Sequence, residues 1–149
     1  VYCRDVMFSA PQKLKFKKFH KLKFNTRRTE NRFFCPKFGD YGLQAIGFGK
    51  VTAAQLESGR LVIRRFSKKQ AFLRISVFPH AAVSKKPTSA RMGKGKGKPS
   101  GWVCPVKRGR ILYEISSIGG KFKNTLPARA FSLVNRKLPL KSKAVRLIY

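Results

Sequence analysis

Apolar positions recur at two periods along the chain, and the switches between those periods lay out its elements. Between residues 33 and 51, Phe33, Phe34, Phe38, Tyr41, Leu43, Ala45, Ile46, Phe48 and Val51 are interrupted by Gly39, Gly42, Gly47 and Gly49. This predicts one or two short strands with bends. After Thr52 the period lengthens. Leu56, Gly59, Val62, Ile63 and Phe66 fall on one arc at about 100° per residue, the mark of an amphipathic helix. Thr52 is its N-cap candidate, with Gln55 three residues on completing a capping box. In residues 72–78 the period returns to two: Leu73, Ile75 and Val77 alternate with Arg74 and Ser76 in a half-buried strand that Pro79 ends.

Residues 80–100 are polar and read as a long loop. Trp102, Val103, Cys104 and Val106 open another strand, and Pro105 predicts that it lies at an edge or carries a bulge. Lys107-Arg108-Gly109 reads as a hairpin turn to a partner strand in which Ile111, Tyr113 and Ile115 alternate with Leu112 and Glu114. Gly119-Gly120 marks a break. A second helix is expected from about Leu126 to Leu138, with Pro127 tolerated in its first turn and Pro139 ending it. Its core face is Leu126, Ala130, Leu133, Val134 and Leu138, and Lys143 to Tyr149 reads as a last strand. The fold class is α+β: two helices packed on one face of a mostly antiparallel sheet. There is no internal repeat. A basic arm, residues 1–28, precedes a single domain, residues 29–149.

Charge changes this picture from a generic domain to one with a partner. Lys and Arg total 35 against five acids, for a net charge of +30 in 149 residues. No internal pairing neutralises that excess, so a polyanion is the expected environment of the fold. Nucleic acid leads, and an acidic membrane surface comes second. The apolar fraction of 42% is enough to build a core and argues against disorder.

Three groups of cations stand out by their pattern. The arm carries Lys13, Lys15, Lys17, Lys18, Lys21, Lys23, Arg27 and Arg28, interleaved with Phe16, Phe19, His20 and Phe24, a pattern suited to phosphate contact and base stacking. Arg60, Arg64 and Lys68 recur every fourth residue as a phosphate-facing stripe on the first helix, with Glu57 placed to pair with Arg60. In Arg91-Met92-Gly93-Lys94-Gly95-Lys96-Gly97-Lys98, cations alternate with glycines, which let the main chain approach a sugar–phosphate surface.

Other chemistry is poorly supported. The five carboxylates are scattered, which disfavours a general acid–base pair. Cys35, Cys104 and His80 lack finger-like spacing for zinc, and the odd set of Cys3, Cys35 and Cys104 is no disulfide framework. The Gly/Lys run lacks the spacing of a nucleotide-binding loop. No apolar run reaches the roughly 18 residues of a membrane span. The expectation is a non-enzyme with no cofactor, no metal and no homo-oligomer. The first residue is Val1, which leaves room for a removed targeting segment.

The residues also resemble a known family. The segments PQKLKFKKFHK (Pro11 to Lys21), Phe38-Gly39 to Gly42-Leu43, VTAAQLESGRLVIRRFSKKQAFLRISVFP (Val51 to Pro79), Lys86-Pro87, RMGKGKG (Arg91 to Gly97), Trp102-Val103, GRILYE (Gly109 to Glu114) and ARAFSLVNRKLP (Ala128 to Pro139) occur in one order over most of residues 11–140. Together they are similar to the universal large-subunit ribosomal protein number sixteen, in its bacterial and organellar form. The resemblance implies a hammerhead-like α+β fold and binding to large-subunit rRNA beside neighbouring ribosomal proteins. It also implies a place near the aminoacyl-tRNA site. Lys13, Lys15, Lys17, Lys18, His20 and Lys21 would be arm contacts to rRNA, and a loop of about Lys85 to Ser100 would reach toward the aminoacyl-tRNA arm. Residues 22–37 depart from the family's glycine-rich connector, and Leu61 and Phe66 stand where smaller or polar residues are common. Pro-Ser-Gly-Trp before the strand resembles mitochondrial members, with a plastid or bacterial cytoplasm as the alternative. A nonribosomal RNA-binding protein or RNA chaperone is the alternative function.

Overall fold

Thr52 closes one element and opens the next. Its hydroxyl accepts from the Gln55 N–H at 3.2 Å, while its own N–H donates to Gln55 Oε1 at 2.9 Å, so the expected capping box is formed. In the computed structural model, which describes residues 10–11, 13–20, 29–30, 35–68, 70–93, 95–117 and 125–147, the chain order is β1 (Tyr41–Ala45), β2 (Gly49–Thr52), α1 (Ala53–Ser67), β3 (Ala71–Ile75), β4 (Ala81–Lys85), β5 (Lys98–Val106), β6 (Ile111–Ser117), α2 (Thr125–Asn135) and β7 (Ser142–Arg146). The α+β class holds, with two helices against antiparallel strands.

The strands form two sheets rather than one. Four follow the order β3-β6-β1-β7 and three the order β2-β5-β4, with every strand pairing antiparallel. The expected hairpin between β5 and β6 is therefore not made. The turn after β5 hands the chain to the other sheet, where Gly109 N–H donates to Ala45 O at 2.8 Å and Ala45 N–H to Arg110 O at 2.9 Å. The burial pattern supplies the reason: Ile111 to Ile115 are buried without interruption, which suits a central strand between β1 and β3. Between Leu43 and Gln44 the register slips, so that Gln44 faces Ile111 while Leu43 faces Tyr113. This bulge leaves Leu112 in the main core with Tyr113.

Two further expectations change. Residues 80–100 are not one loop, because β4 lies inside them and β5 starts at Lys98. Small and polar residues, Ala-Ala-Val-Ser-Lys, give β4 almost no alternation to read. Pro105 does not make β5 an edge strand; β5 is central in its sheet, and Pro105 lies beyond the end of β4, opposite Lys50 of β2. The register irregularity falls instead between Val83 and Ser84, opposite Gly101 and Pro99.

One core joins both sheets and both helices. It contains Leu43, Val51, Leu56, Ile63, Leu73, Val77, Cys104, Val106, Tyr113, Phe131, Val134 and Leu138. Leu56, Gly59 and Ile63 form the buried arc of α1, and Val62 packs partly against the same core. Tyr113 is buried, and its hydroxyl donates to Leu56 O at 2.8 Å, tying β6 to α1. Burial pushes its phenol above the usual range, with Glu57 adding to the rise. On α2, Ala130, Val134 and the following Leu138 are buried as expected, Leu133 is half-buried, and Phe131 joins them. The helix ends at Asn135, whose Oδ1 accepts from the Ser142 N–H and hydroxyl at 3.0 and 2.9 Å, and so anchors the start of β7. The expected break at Gly119-Gly120 lies outside the described residues.

Candidate nucleic-acid interface

Three of the five acids are tied up within the fold. Glu114 is buried and accepts from Phe38 N–H at 2.9 Å and Ser76 Oγ at 2.8 Å. Asp40 accepts from Ser117 N–H at 3.1 Å. Glu57 pairs with Arg60 as expected: Arg60 Nη2 reaches Oε1 at 2.6 Å, and Nε reaches both carboxylate oxygens at 3.0 and 2.9 Å. Hydrogen bonding to Arg60 holds the Glu57 carboxyl below its ordinary value, and the same bond raises the Arg60 guanidinium. These three acids thus serve the sheet and the helix, and Asp5 lies outside the described residues. Residues 58–113, which include the whole β4–β5 hairpin, contain no acid.

That hairpin carries the Gly/Lys run at its tip. Arg91, Met92, Gly93, Gly95 and Lys96 are exposed, and Met92 keeps 97% of its surface in solvent. Lys98 already belongs to β5 and is exposed, and Lys94 lies outside the described residues. Gly93 and Gly95 take positive φ, 106° and 80°, which glycine adopts without the strain an L side chain incurs. The neck is tight at Gly97, where a Cβ would lie 2.6 Å from Lys85 O. Lys86 spans the loop and donates to Gly93 O at 2.6 Å. Sequence spacing does not mark Lys86 as part of the site, because a bond to a carbonyl seven residues on depends on the path of the loop.

The arm meets this hairpin. Lys18 Nζ donates to Lys96 O at 2.9 Å, and Lys96 Nζ donates back to Phe19 O. Phe19 also meets Trp102 of β5 edge-on, with ring centroids 6.5 Å apart. Lys13, Lys15, Lys17, Lys18 and His20 are exposed, and the Lys15 ammonium lies 5.6 Å from the Phe16 ring centre. Two segments far apart in sequence therefore meet, and among their described residues none is acidic. Lys21, Arg27 and Arg28 lie outside the described residues.

The helix stripe is less uniform than its spacing implies. Arg60 is engaged by Glu57 and Arg64 is half-buried. Lys68 has left the helix: it is the C-cap, in the left-handed conformation at φ 43°, with its N–H donating to Arg64 O at 3.2 Å. Cys104 is buried, which raises its thiol pKa and keeps it protonated, while Cys35 is exposed. Among the described residues, no group of three or more His, Cys, Asp or Glu is placed to hold a metal, and no helix is long and apolar enough to cross a membrane.

An α+β domain with a large excess of cations, part of it on an arm that bonds to a glycine-rich hairpin, has the build of a structural RNA-binding protein. The chain belongs to the family of ribosomal protein L16p/L10e, whose profile matches residues 11–145. It is 38% identical over 136 residues to the large ribosomal subunit protein uL16 of Staphylococcus carnosus (strain TM300), covering 91% of this chain and 90% of that protein. It is 42% identical over 135 residues to the uL16 of Maricaulis maris (strain MCS10), covering 91% and 94%. The uL16c protein of Hordeum vulgare is 36% identical over 141 residues, covering 95% and 98%.

Proposed function

We propose that this chain, a structural protein of the large ribosomal subunit, binds large-subunit rRNA through its arm and hairpin and helps to form the aminoacyl-tRNA site. The arm (residues 1–28) and the domain (residues 29–149) act as two parts of one RNA-binding unit. The observation that carries this reading is the reciprocal bonding of Lys18 and Lys96 across the arm and hairpin. It holds two basic stretches against each other, with Arg91, Met92 and Gly93 of the tip exposed. Bonding to neutral carbonyls leaves both ammonium charges uncompensated, so they still attract phosphate.

Within this reading, Lys13, Lys15, Lys17, Lys18, His20, Lys21, Arg27 and Arg28 contact rRNA, joined by Arg64 and Lys68. Arg60 contributes less, because Glu57 already occupies its guanidinium. The tip, Arg91 to Gly97, with Lys98 at the start of β5, lies nearest the aminoacyl-tRNA. The protein supplies counter-charge and position and performs no chemistry. Family membership and the names of the relatives support the large subunit. A mitochondrial ribosome is the proposed location, on the Pro-Ser-Gly-Trp sequence at residues 99–102.

The test is Arg91→Ala. The variant is expected to sediment with large subunits at the parent level but to slow aminoacyl-tRNA accommodation in a translation assay. Parent-like accommodation would reduce the hairpin to an assembly anchor. Failure of the parent chain to sediment with large subunits would overturn the whole reading.

A further inference from the structure

The four-stranded sheet carries a second aromatic and cationic surface, on a different sheet from the β4–β5 hairpin. Phe72 and Arg74 lie on β3, an edge strand, on the face opposite the core residues Leu73 and Ala71. Two residues apart on one strand, they sit roughly 7 Å from each other along it. Phe72 is 65% exposed. Phe38, from the segment before β1, is 62% exposed, and the Arg74 guanidinium stands over its ring at 3.6 Å from the centre. Among the described residues this is a much closer stack than Arg108 on Phe48 at 5.9 Å or Arg146 on Tyr41 at 5.8 Å.

The arrangement is held from below. Glu114 is the cross-strand partner of Arg74, and its buried carboxylate accepts the Phe38 N–H and the Ser76 hydroxyl. One acid thus fixes the backbone that presents Phe38 beside Arg74. Two large rings left in water, with a planar cation stacked on one of them, are costly for a solitary surface. The same groups recognise unpaired bases, whose faces stack on aromatic rings and on guanidinium planes whatever their sequence. Charge selects the occupant: in a chain of net charge +30, a cationic aromatic surface complements RNA.

We propose that Phe72, Arg74 and Phe38 form a stacking site for an unpaired RNA base, separate from the arm and the hairpin. The proposal rests on the RNA-binding reading above and assigns it a second contact of a different kind, one based on stacking rather than charge neutralisation.

The experiment uses the full chain with two probes at one fixed salt concentration: a single-stranded adenosine oligonucleotide carrying a central 2-aminopurine, and a blunt RNA duplex of equal length. Phe72→Ala and Arg74→Lys, the latter keeping its charge, are expected to weaken single-strand binding roughly five- to hundredfold. Both should also relieve the quenching of 2-aminopurine and leave duplex binding at the parent level. Phe38→Ala should behave alike, and the exposure of all three side chains keeps the fold out of the readout. If the variants bind the single strand as the parent does, while Lys96→Ala weakens both probes, the stacking site is overturned and the RNA-binding reading stands; the surface is then one for protein. If the parent binds neither probe, both proposals fail.

Discussion

Gly59 shows how a residue can be legible in position and illegible in purpose. Its place on the apolar arc of α1 follows from helical spacing alone. Its identity follows from a contact no spacing predicts: a Cβ there would lie 2.4 Å from Tyr113 Oη, 2.9 Å from Tyr113 Cζ and 3.2 Å from Val134 Cγ1. Tyr113 cannot yield easily, because it is buried and its hydroxyl is bonded to Leu56 O. Gly59→Ala should therefore lower stability by about 1–3 kcal/mol through overpacking, although alanine in a helix interior is about 1 kcal/mol better than glycine. Urea unfolding of Gly59→Ala, alone and with Tyr113→Phe, measures this. The double variant should recover part of the loss, and a stabilised single variant would show that the α1–β6 contact can relax. The capping residues behave differently. Thr52 and Gln55 act on backbone within three residues of themselves, so the sequence displays their role outright.

At the scale of elements, local periodicity located α1, α2, β3, β6 and β7 to within a few residues, and gave β1 and β2 only as one or two short strands within residues 33–51. It could not say which strands pair. β5 and β6 are consecutive and joined by a short turn, the usual setting of a hairpin, yet they lie in different sheets. The arm and the hairpin show the converse, for they are some eighty residues apart and bond directly. Trp102 is the chain's one tryptophan, and it reports this contact through Phe19. Phe19→Ala should shift the Trp102 emission to the red, as water replaces the ring, and leave the circular dichroism of the domain unchanged. Emission identical to the parent would mean that the arm does not rest on β5 in solution.

At the scale of the whole molecule, charge governs behaviour. The cations that no acid offsets should release counterions from RNA, so affinity is expected to fall steeply and linearly on a log–log plot against salt. Replacing Lys94 and Lys96 by alanine should reduce the slope by roughly one for each phosphate no longer neutralised. A filter-binding series across salt concentrations tests this, and a flat response would contradict an electrostatic interface. This behaviour, the two helices with the capping box that opens α1 and the acid-free stretch at residues 58–113 all follow from composition or from neighbours along the chain, so the amino-acid order alone was enough to read them. The partition of strands into two sheets, the burial of Glu114 beneath Phe38, the fit of Gly59 against Tyr113 and the union of arm with hairpin came only with the folded chain. Each depends on residues brought together across long loops, and the one-dimensional pattern of apolar and charged positions carries no record of which distant surface a given face will meet.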